Sequence, residues 1–352
     1  MAGGAAELRR PPPPPTVITF IVRRLLGAVV LMFVITAVTF AIFFLVPRAA
    51  GVTPDDLAAR YAGKSPTPEA LAQIKERLGL DEPVAVQYGL FVKALVLGDT
   101  YDTGTAEIEC PAPCLGYSFR TSTPVLEEIL SRAPVTLSVA LGAAVLWVIF
   151  GVGIGVLSAL RRGSLFDRMA MVTALAGVSL PIFFTGLLSL AFVVHAWGWL
   201  PSPSYVPLTK DPAGWFSGLI LPWITLAFLY AAMYARLTRA GMLETMNEDF
   251  IRTARAKGLP ERTVVVKHGL RAALTPLLTV FGLDLGVLLG GAVLTEKTFS
   301  LKGLGQLSLD GVIQSDLPVV LGVVLFAALF VVLANLIVDI LYGVVDPRVR
   351  HS

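Results

Sequence analysis

Long apolar runs separated by short polar stretches dominate this chain of 352 residues. A helix needs about 20 apolar residues to cross a bilayer core of roughly 30 Å. Six runs reach that length, and inside a bilayer their backbone groups can pair only within the protein, so each run is predicted to be a helix. The predicted spans are 25–46, 135–160, 169–196, 218–235, 274–295 and 317–341.

Details within these runs add to the prediction. The fourth span is the shortest, and we expect aromatic residues to place its ends at the membrane interfaces. Pro181 is expected to kink the third span. Glycines recur at small-xxx-small spacing, which lets helices approach closely, in this chain or in another. The aromatic residues are Trp223, Tyr230 and Tyr234, and the glycines are Gly142, Gly151, Gly153 and Gly155 in the second span and Gly282, Gly286, Gly290 and Gly291 in the fifth.

Composition agrees with a polytopic, all-α membrane protein. Hydrophobic residues make up 55% of the chain and charged residues 15%, whereas soluble domains carry about 25% charged residues. A net charge of +3 does not indicate a nucleic-acid partner. Two cysteines and three scattered histidines (His195, His268 and His351) predict no metal site.

The distribution of Lys and Arg predicts the orientation. Connections rich in these residues face the cytoplasm. The tails 1–24 and 342–352 and the loop 236–273 are therefore predicted to be cytoplasmic, and the segment 47–134 extracytoplasmic. The basic residues on the predicted inner side are Arg9, Arg10, Arg23, Arg24, Arg161, Arg162, Arg168, those of the 236–273 loop, Arg348 and Arg350, whereas the short outer loops hold Lys210, Lys297 and Lys302.

The first apolar run is expected to stay in the protein as a span. Its length of about 22 residues exceeds the 7–15 of a signal peptide. Pro47 and Arg48 follow it in place of a small-residue cleavage site. Before it, the five prolines at 11–15 predict a short disordered tail.

The outer segment contains one predicted amphipathic helix. Thr67 is a candidate N-cap, Pro68 suits the first helical position, and Gly79 ends the helix. Its apolar stripe is expected to cover the outer mouth of the helix bundle. The stripe consists of Leu71, Ile74 and Leu78.

Two short stretches of the outer segment bear on its chemistry. Cys110 and Cys114 are expected to form a local disulfide in an oxidising compartment, the alternatives being two free thiols or an intermolecular bond.

Ala58–Ser65 fits a relaxed phosphate-binding loop. No strand is predicted before it, Gly63 is its single glycine, and it faces away from cytoplasmic ATP, so no ATPase is expected in this chain.

Ionisable residues are rare in and beside the predicted spans. Asp284 lies in the fifth span, Glu296 just beyond it, Asp339 near the inner end of the sixth, and His195 near the outer end of the third. Charged groups at membrane depth usually face an interior or a water path. Asp284 and Glu296 are therefore candidates for lining a translocation path. For Asp284 the alternative is a contact with a polar group of a neighbouring helix.

The stretch "EDFIRTARAKGLPERTVVVKHGLRAALTP" (248–276) is polar but keeps apolar residues that a solvated loop would not need. A helix is predicted from about Thr245 to Lys257. Gly258 suits the left-handed position after it, where Leu259 contacts Ala254. Pro260 then fits the first turn of a second helix that runs to about Ala273. This shape indicates a docking surface, and the alternative is a basic loop held against lipid headgroups.

Taken together, these stretches resemble the permease subunits of ABC-type dipeptide and oligopeptide importers. "RTARAKGL" is similar to their EAA loop, E-A-A-x3-G: Arg252, Thr253 and Ala254 take the first three places and Gly258 the glycine. The resemblance covers nearly the whole chain. Further similar stretches are "RRLLGAVVLMFVITAVTFAIFFLVP", "LGLDEPVAVQYGLFVKALVLGD", "GYSF", "GGAVLTEKTFSLKGLGQL" and "DILYGVVDPRVR".

The chain also departs from the family pattern. Pro47-Arg48 replaces Pro-Gly-Asp, and 100–115 looks like an insertion. Asp284 stands where a neutral amide or an apolar residue is more usual, so the resemblance implies no role for it. Two smaller departures are the absent I-x-L-P tail (His268, Leu270 and Arg271 instead) and Lys302 at a common proline position.

The resemblance implies a six-transmembrane-helix ABC importer permease with a five-helix core over 135–341. It implies four partner chains: a second permease, two cytoplasmic ATPase subunits that hold ATP and Mg, and an extracytoplasmic peptide-binding protein. Nickel complexes or another small solute would suit the same architecture. A secondary carrier and a non-transporting scaffold are competing hypotheses, although the chain lacks the Asp, Glu or His relay of proton-coupled carriers. The implied ATPase-coupling residues are Arg252, Thr253, Ala254, Arg255, Ala256, Lys257, Gly258 and Leu259.

Overall fold

A computed structural model describes residues 17–61, 68–102 and 107–345. The prolines at 11–15, Thr67 and the end of the C-terminal tail lie outside the described residues, as does the side chain of Asp339. The helices are α1 Val17–Phe40, α2 Val46–Ala49, α3 Pro54–Tyr61, α4 Pro68–Leu78, α5 Val84–Leu97, α6 Val125–Trp147, α7 Gly153–Leu160, α8 Leu165–Ser179, α9 Ile182–Ser189, α10 Pro212–Thr245, α11 Asp249–Ala256, α12 Glu261–Thr263, α13 Arg271–Leu289, α14 Val293–Thr298, α15 Leu304–Gln314 and α16 Leu317–Val345. The π-helical segments are Ala41–Leu45, Val148–Val152, Leu190–Ala196 and Val264–Leu270. The strands are β1 Asp99–Asp102, β2 Glu107–Cys110, β3 Tyr117–Ser118 and β4 Thr123–Pro124, which pair as two antiparallel hairpins.

The long apolar helices correspond to the predicted spans, with one exception. Within the described residues, five are long and apolar enough to cross a membrane: Val22–Ala49, Val125–Leu160, Pro212–Thr245, Glu261–Leu289 and Leu317–Val338. The third predicted span is a pair of helices, α8 and α9, bent by 102°. Leu180 is extended and Pro181 opens α9, because proline disfavours a helical residue before it. The break at Pro181 is confirmed, and the prediction of one continuous helix is wrong.

The fourth span is much longer than predicted. α10 has 34 residues, whereas the apolar run of 218–235 stops at Arg236. Trp223 is 4% exposed and Tyr234 1% exposed, and the expected place of the three aromatic residues at the membrane interfaces stays a prediction. Both side chains pack inside the bundle, and Tyr230 stacks on Trp147 with ring centroids 4.6 Å apart.

The predicted glycine positions mark contacts between helices of this chain. In α13, a Cβ at Gly282, Gly286 or Gly290 would meet α16. In the second span, a Cβ at Gly142, Gly151 or Gly155 would meet α10. Gly153 has nothing within 4 Å of such an atom, so its predicted contact is absent from the described residues. Close approach therefore joins α13 to α16, and α6 and α7 to α10.

The outer segment packs on the first and last spans. α4 begins at Pro68 and is followed by Gly79 with φ +58°, as predicted. Its buried Ile74 belongs to a cluster with Phe40 of α1 and Leu321 of α16, so the stripe covers these two spans. Sequence reasoning missed α3, α5 and both hairpins. Ala58, the start of the phosphate-loop pattern, lies inside α3 and follows no strand.

The two cysteines close the end of the first hairpin. Cys110 and Cys114 form a disulfide bond. Cys110 ends β2 and pairs in register with Asp99 of β1. The stretch that looked like an insertion, 100–115, is thus mainly this hairpin and its disulfide turn. Residues 103–106 of it are outside the described part of the chain.

Gly151 and Gly153 provide a matched test of the contact with α10. A Cβ at Gly151 would lie 2.7 Å from the Tyr234 Cβ and 3.0 Å from the Ala231 carbonyl oxygen. We predict that Gly151→Ala destabilises the protein by about 1–3 kcal/mol through overpacking. Gly153→Ala, two residues along the same span, should not. The measurement is the thermal unfolding midpoint in detergent, and equal midpoints for the two variants would refute the contact.

Candidate functional site

The loop after α10 forms the corner that the sequence predicts. α11 runs over Asp249–Ala256, a shorter range than predicted. Gly258 has φ +76°. Its N–H donates to the Arg255 carbonyl oxygen over 2.9 Å, and the Leu259 N–H donates to the Ala254 carbonyl oxygen over 3.4 Å. This is the Schellman arrangement, so the left-handed glycine is confirmed.

The second helix of the loop continues into the fifth span. Pro260 is extended and precedes α12. α12, the π-helical Val264–Leu270 and α13 follow one another without a break. The predicted end near Ala273 is therefore wrong, because the polar residues up to Arg271 belong to the start of a longer helix.

α11 has a buried side and an exposed side. Ile251 and Ala254 pack on Val264, and all three are at most 7% exposed. Ala254, one of the predicted coupling residues, therefore stabilises the loop internally. The other predicted coupling residues are exposed, namely Arg252, Thr253, Arg255, Ala256, Lys257, Gly258 and Leu259. Phe250 and Val266 add exposed apolar surface beside them.

An ion pair crosses the glycine corner. The Arg255 Nη2 lies 2.8 Å from the Glu261 Oε1, and its Nε donates to Oε2 over 3.2 Å. This pair links α11 to α12 and holds the angle between them. Sequence reasoning missed it because a separation of six residues is not a helical spacing.

A second polar cluster on the same side of the bundle joins three helices. The Arg239 guanidinium of α10 donates to both Asp167 oxygens, from Nε over 2.6 Å and from Nη2 over 2.8 Å. The Ser158 hydroxyl and the Gly163 N–H donate to the same carboxylate. Asp167 thereby ties the end of α7 and the start of α8 to α10. In the sequence, the N-cap spacing from Ser164 to Asp167 was the one pattern that pointed to Asp167.

Asp284 contacts a polar group of a neighbouring helix. The Tyr234 hydroxyl of α10 donates to its Oδ2 over 2.9 Å. The sequence predicted either a place in a translocation path or a contact with a neighbouring helix for Asp284. This hydrogen bond is the second of these. Asp284 remains partly exposed, so the hydrogen bond and a place at the edge of a path are compatible.

Glu296 is enclosed by protein. It is fully buried, and it accepts from the Thr136 hydroxyl over 2.6 Å and from the Gln306 N–H over 3.0 Å. Thr136 also accepts from the Leu304 N–H over 2.8 Å. Burial raises the pKa of Glu296 although these hydrogen bonds oppose the shift. The carboxyl group thus joins α6, α14 and α15 and, in this chain, does not face an open path.

The chain matches known transport proteins over most of its length. Sequence profiles of a binding-protein-dependent transport system inner membrane component match residues 151–351, and a profile of the N-terminal part of such components matches 17–140. A Brucella abortus (strain 2308) protein, provisionally named a peptide transport system permease protein, is 40% identical over 92% of this chain and 96% of its own length. The dipeptide transport system permease protein DppB of Escherichia coli (strain K12) is 38% identical over 93% and 97%.

A solved structure is also similar. The MetNI methionine ABC transporter, in an inward-facing conformation, has a chain that aligns with a TM-score of 0.47 and 19% sequence identity. The alignment covers 63% of this chain and 97% of that one.

Thr136 offers a test of the buried Glu296 junction. We predict that Thr136→Val destabilises the protein by about 1–3 kcal/mol, because the Glu296 Oε1 loses its hydroxyl donor and the Leu304 N–H loses its acceptor. Thr136→Ser keeps the hydroxyl and should stay close to the wild type. Thermal unfolding in detergent distinguishes them. A valine variant as stable as the serine variant would show that the junction contributes little.

Proposed function

This chain belongs to the binding-protein-dependent transport system inner membrane components, as a permease of the peptide and dipeptide ABC importer family, and we propose that it forms half of a path for di- and oligopeptides. The observation that carries the substrate class is the identity of 38–40% with peptide and dipeptide permeases along more than nine-tenths of the chain. Family membership and the apolar helices make it a multi-pass inner-membrane protein.

The proposed complex contains four further chains. A second permease forms the other half of the path, two ATPase subunits bind on the inner side, and an extracytoplasmic protein delivers the peptide. ATP and Mg belong to the ATPase subunits, and this chain acts without a cofactor of its own. The concentration of Lys and Arg supports cytoplasmic termini and an outer 47–134 segment.

We propose the exposed side of α11 as the ATPase-coupling surface. Basic side chains and the apolar Phe250 and Leu259 stand together there, which suits a partner groove that is part apolar and part acidic. Its buried side contacts Val264, which lies in the helical segment that runs on into α13. It also contacts Met246 at the end of α10. A displacement of α11 therefore moves two spans at once, as a rigid-body switch requires.

Nickel complexes or another small solute remain the second candidate for the substrate, since the same architecture would carry them. A secondary carrier without ATPase is the competing mechanism. Against the carrier, the described part of the chain shows Asp284 bonded to a tyrosine and Glu296 enclosed, and no relay joins them.

Reconstitution tests the transport function. Vesicles that hold the complete complex should take up a labelled dipeptide only when ATP is supplied at the ATPase side and the binding protein is present outside. Uptake driven by a proton gradient without ATP would contradict the proposal. Uptake of a nickel complex in place of the peptide would support the second candidate.

Gly258 and Gly163 provide a matched test of coupling. Both have positive φ (+76° and +78°) and no atom within 4 Å of an added Cβ. Replacement by valine therefore strains both turns alike, by roughly 1–2 kcal/mol. We predict that Gly258→Val lowers the peptide taken up per ATP hydrolysed about tenfold, the scale of a typical coupling free energy. Gly163→Val should leave that ratio close to the wild-type value.

Membrane insertion of both variants is the control, measured as the amount of folded protein extracted from membranes. Loss of insertion in Gly258→Val alone would mean that the corner has only a structural role. Equal ratios in the two variants would refute the coupling surface.

A further inference from the structure

Asp284 is an acidic side chain within the fifth span, and none of the described residues is a cationic partner to it. In the described part of the chain, the Tyr234 hydroxyl is its hydrogen-bond donor and no Lys or Arg pairs with it. The Tyr234 bond engages Oδ2, so Oδ1 keeps its full capacity to accept. A charge inside a membrane protein is normally paired, which makes this unpaired oxygen a candidate for binding a ligand.

The position of Asp284 on α13 gives access to that oxygen. The helix packs against α16 through Gly282 and Gly286. About 100° around the helix from that contact, Leu283 is 49% exposed and Val287 63% exposed. Asp284 lies at the border between this open face and the contact with α10. Since lipid cannot hydrogen-bond a carboxyl group, its place at this border favours a water-filled path over contact with acyl chains.

Aromatic rings complete the surroundings of the carboxyl group. Tyr230 lies one helical turn from Tyr234, the donor to Asp284, and so shares its face of α10. Its ring stacks on the fully buried Trp147, with centroids 4.6 Å apart, which fixes its position. Tyr230 itself is only partly buried. A carboxylate beside an aromatic ring suits an organic cation, through a charge-assisted hydrogen bond and cation–π attraction.

A metal ion is a poorer fit to the same place. Divalent ions need several oxygen, nitrogen or sulfur ligands. Within the described residues no group of three or more His, Cys, Asp or Glu side chains is placed to hold one. One carboxylate with two phenol groups matches the three N–H donors of a primary ammonium group better.

We propose that Asp284, with Tyr230 and Tyr234, is a transit site for a primary ammonium group of the peptide. The inference rests on the proposed function, that this chain carries peptides. Oδ1 accepts from the ammonium group while Tyr234 holds Oδ2, and the Tyr230 ring borders the cation. The ligand group is a lysine side chain, either alone or together with the peptide's α-amino group. A single carboxylate attracts the ammonium group strongly enough for the peptide to enter the path and weakly enough for the peptide to leave it.

Two substitutions separate this role from helix packing. Asp284→Asn keeps an oxygen that accepts from Tyr234 but removes the charge. Tyr234→Phe removes the hydrogen bond between α10 and α13 but keeps the charge. A site that binds a cation is impaired mainly by the first change, whereas a contact that only joins helices is impaired mainly by the second.

Uptake by the reconstituted complex is measured for Ala-Lys-Ala and Ala-norleucine-Ala, with saturating peptide-loaded binding protein. We expect Asp284→Asn to lower the ratio of lysyl to norleucyl uptake about tenfold, the effect of losing one hydrogen bond to a charged group. Tyr234→Phe keeps the charge and should lower the ratio much less than Asp284→Asn does. An unchanged ratio in Asp284→Asn, or an equal fall for both peptides in both variants, would overturn the proposal.

The N-acetylated norleucyl peptide identifies which ammonium group binds. If Asp284→Asn also lowers the ratio of free to acetylated peptide uptake, the site binds the α-amino group as well as lysine. If only the lysyl ratio falls, the site binds the side chain. A wild-type complex that takes up no peptide with ATP would refute the proposed function, whereas normal wild-type uptake with an unchanged Asp284→Asn ratio refutes the transit site alone.

A measurement on the wild-type complex does not depend on how the variants fold. A lipid-soluble carbodiimide, followed by mass spectrometry, reports how accessible each carboxyl group is during turnover. We expect the lysyl peptide to protect Asp284 from labelling more than the norleucyl peptide does. The enclosed Glu296 is the internal control and should respond to neither. Absent labelling of Asp284, or equal labelling with the two peptides, counts against the site.

Discussion

The close approach of α10 to its neighbours is the constraint on which the rest of the structure depends. In lipid, apolar surface alone does not drive helices together, so packing and polar contacts must do so. Glycines of the second span let Trp223 and Tyr234 of α10 fit against it. Polar contacts at two positions along α10 join it to other helices. The Arg239–Asp167 ion pair joins it to α8, and the Tyr234–Asp284 hydrogen bond joins it to α13.

Contacts with this arrangement hold the 248–273 loop in place. α11 lies between the end of α10 and the inner extension of α13, and its buried side contacts both. The Gly258 corner and the Arg255–Glu261 pair fix its angle. These contacts attach the loop to the bundle through both α10 and α13.

Buried carboxyl groups serve different purposes according to their partners. Asp167 is matched by a guanidinium group, and Glu296 by a hydroxyl and a backbone N–H. Both stabilise junctions between elements. Asp284 has one hydroxyl donor and stays partly exposed, and the difference in pairing is what separates a structural carboxylate from one that is available to a ligand.

Much of this protein is determined by local sequence. Apolar length predicted where most spans lie, small residues predicted the helix contacts, and Gly258 predicted the corner, because each depends on residues within a few turns of one another. The length of α10, the inward place of Trp223 and the burial of Ala254 and Glu296 were decided by tertiary structure. The physical reason is that a charge such as Arg236 ends an apolar run in the sequence but does not end the helix, which continues through Arg239, whose charge the distant Asp167 neutralises.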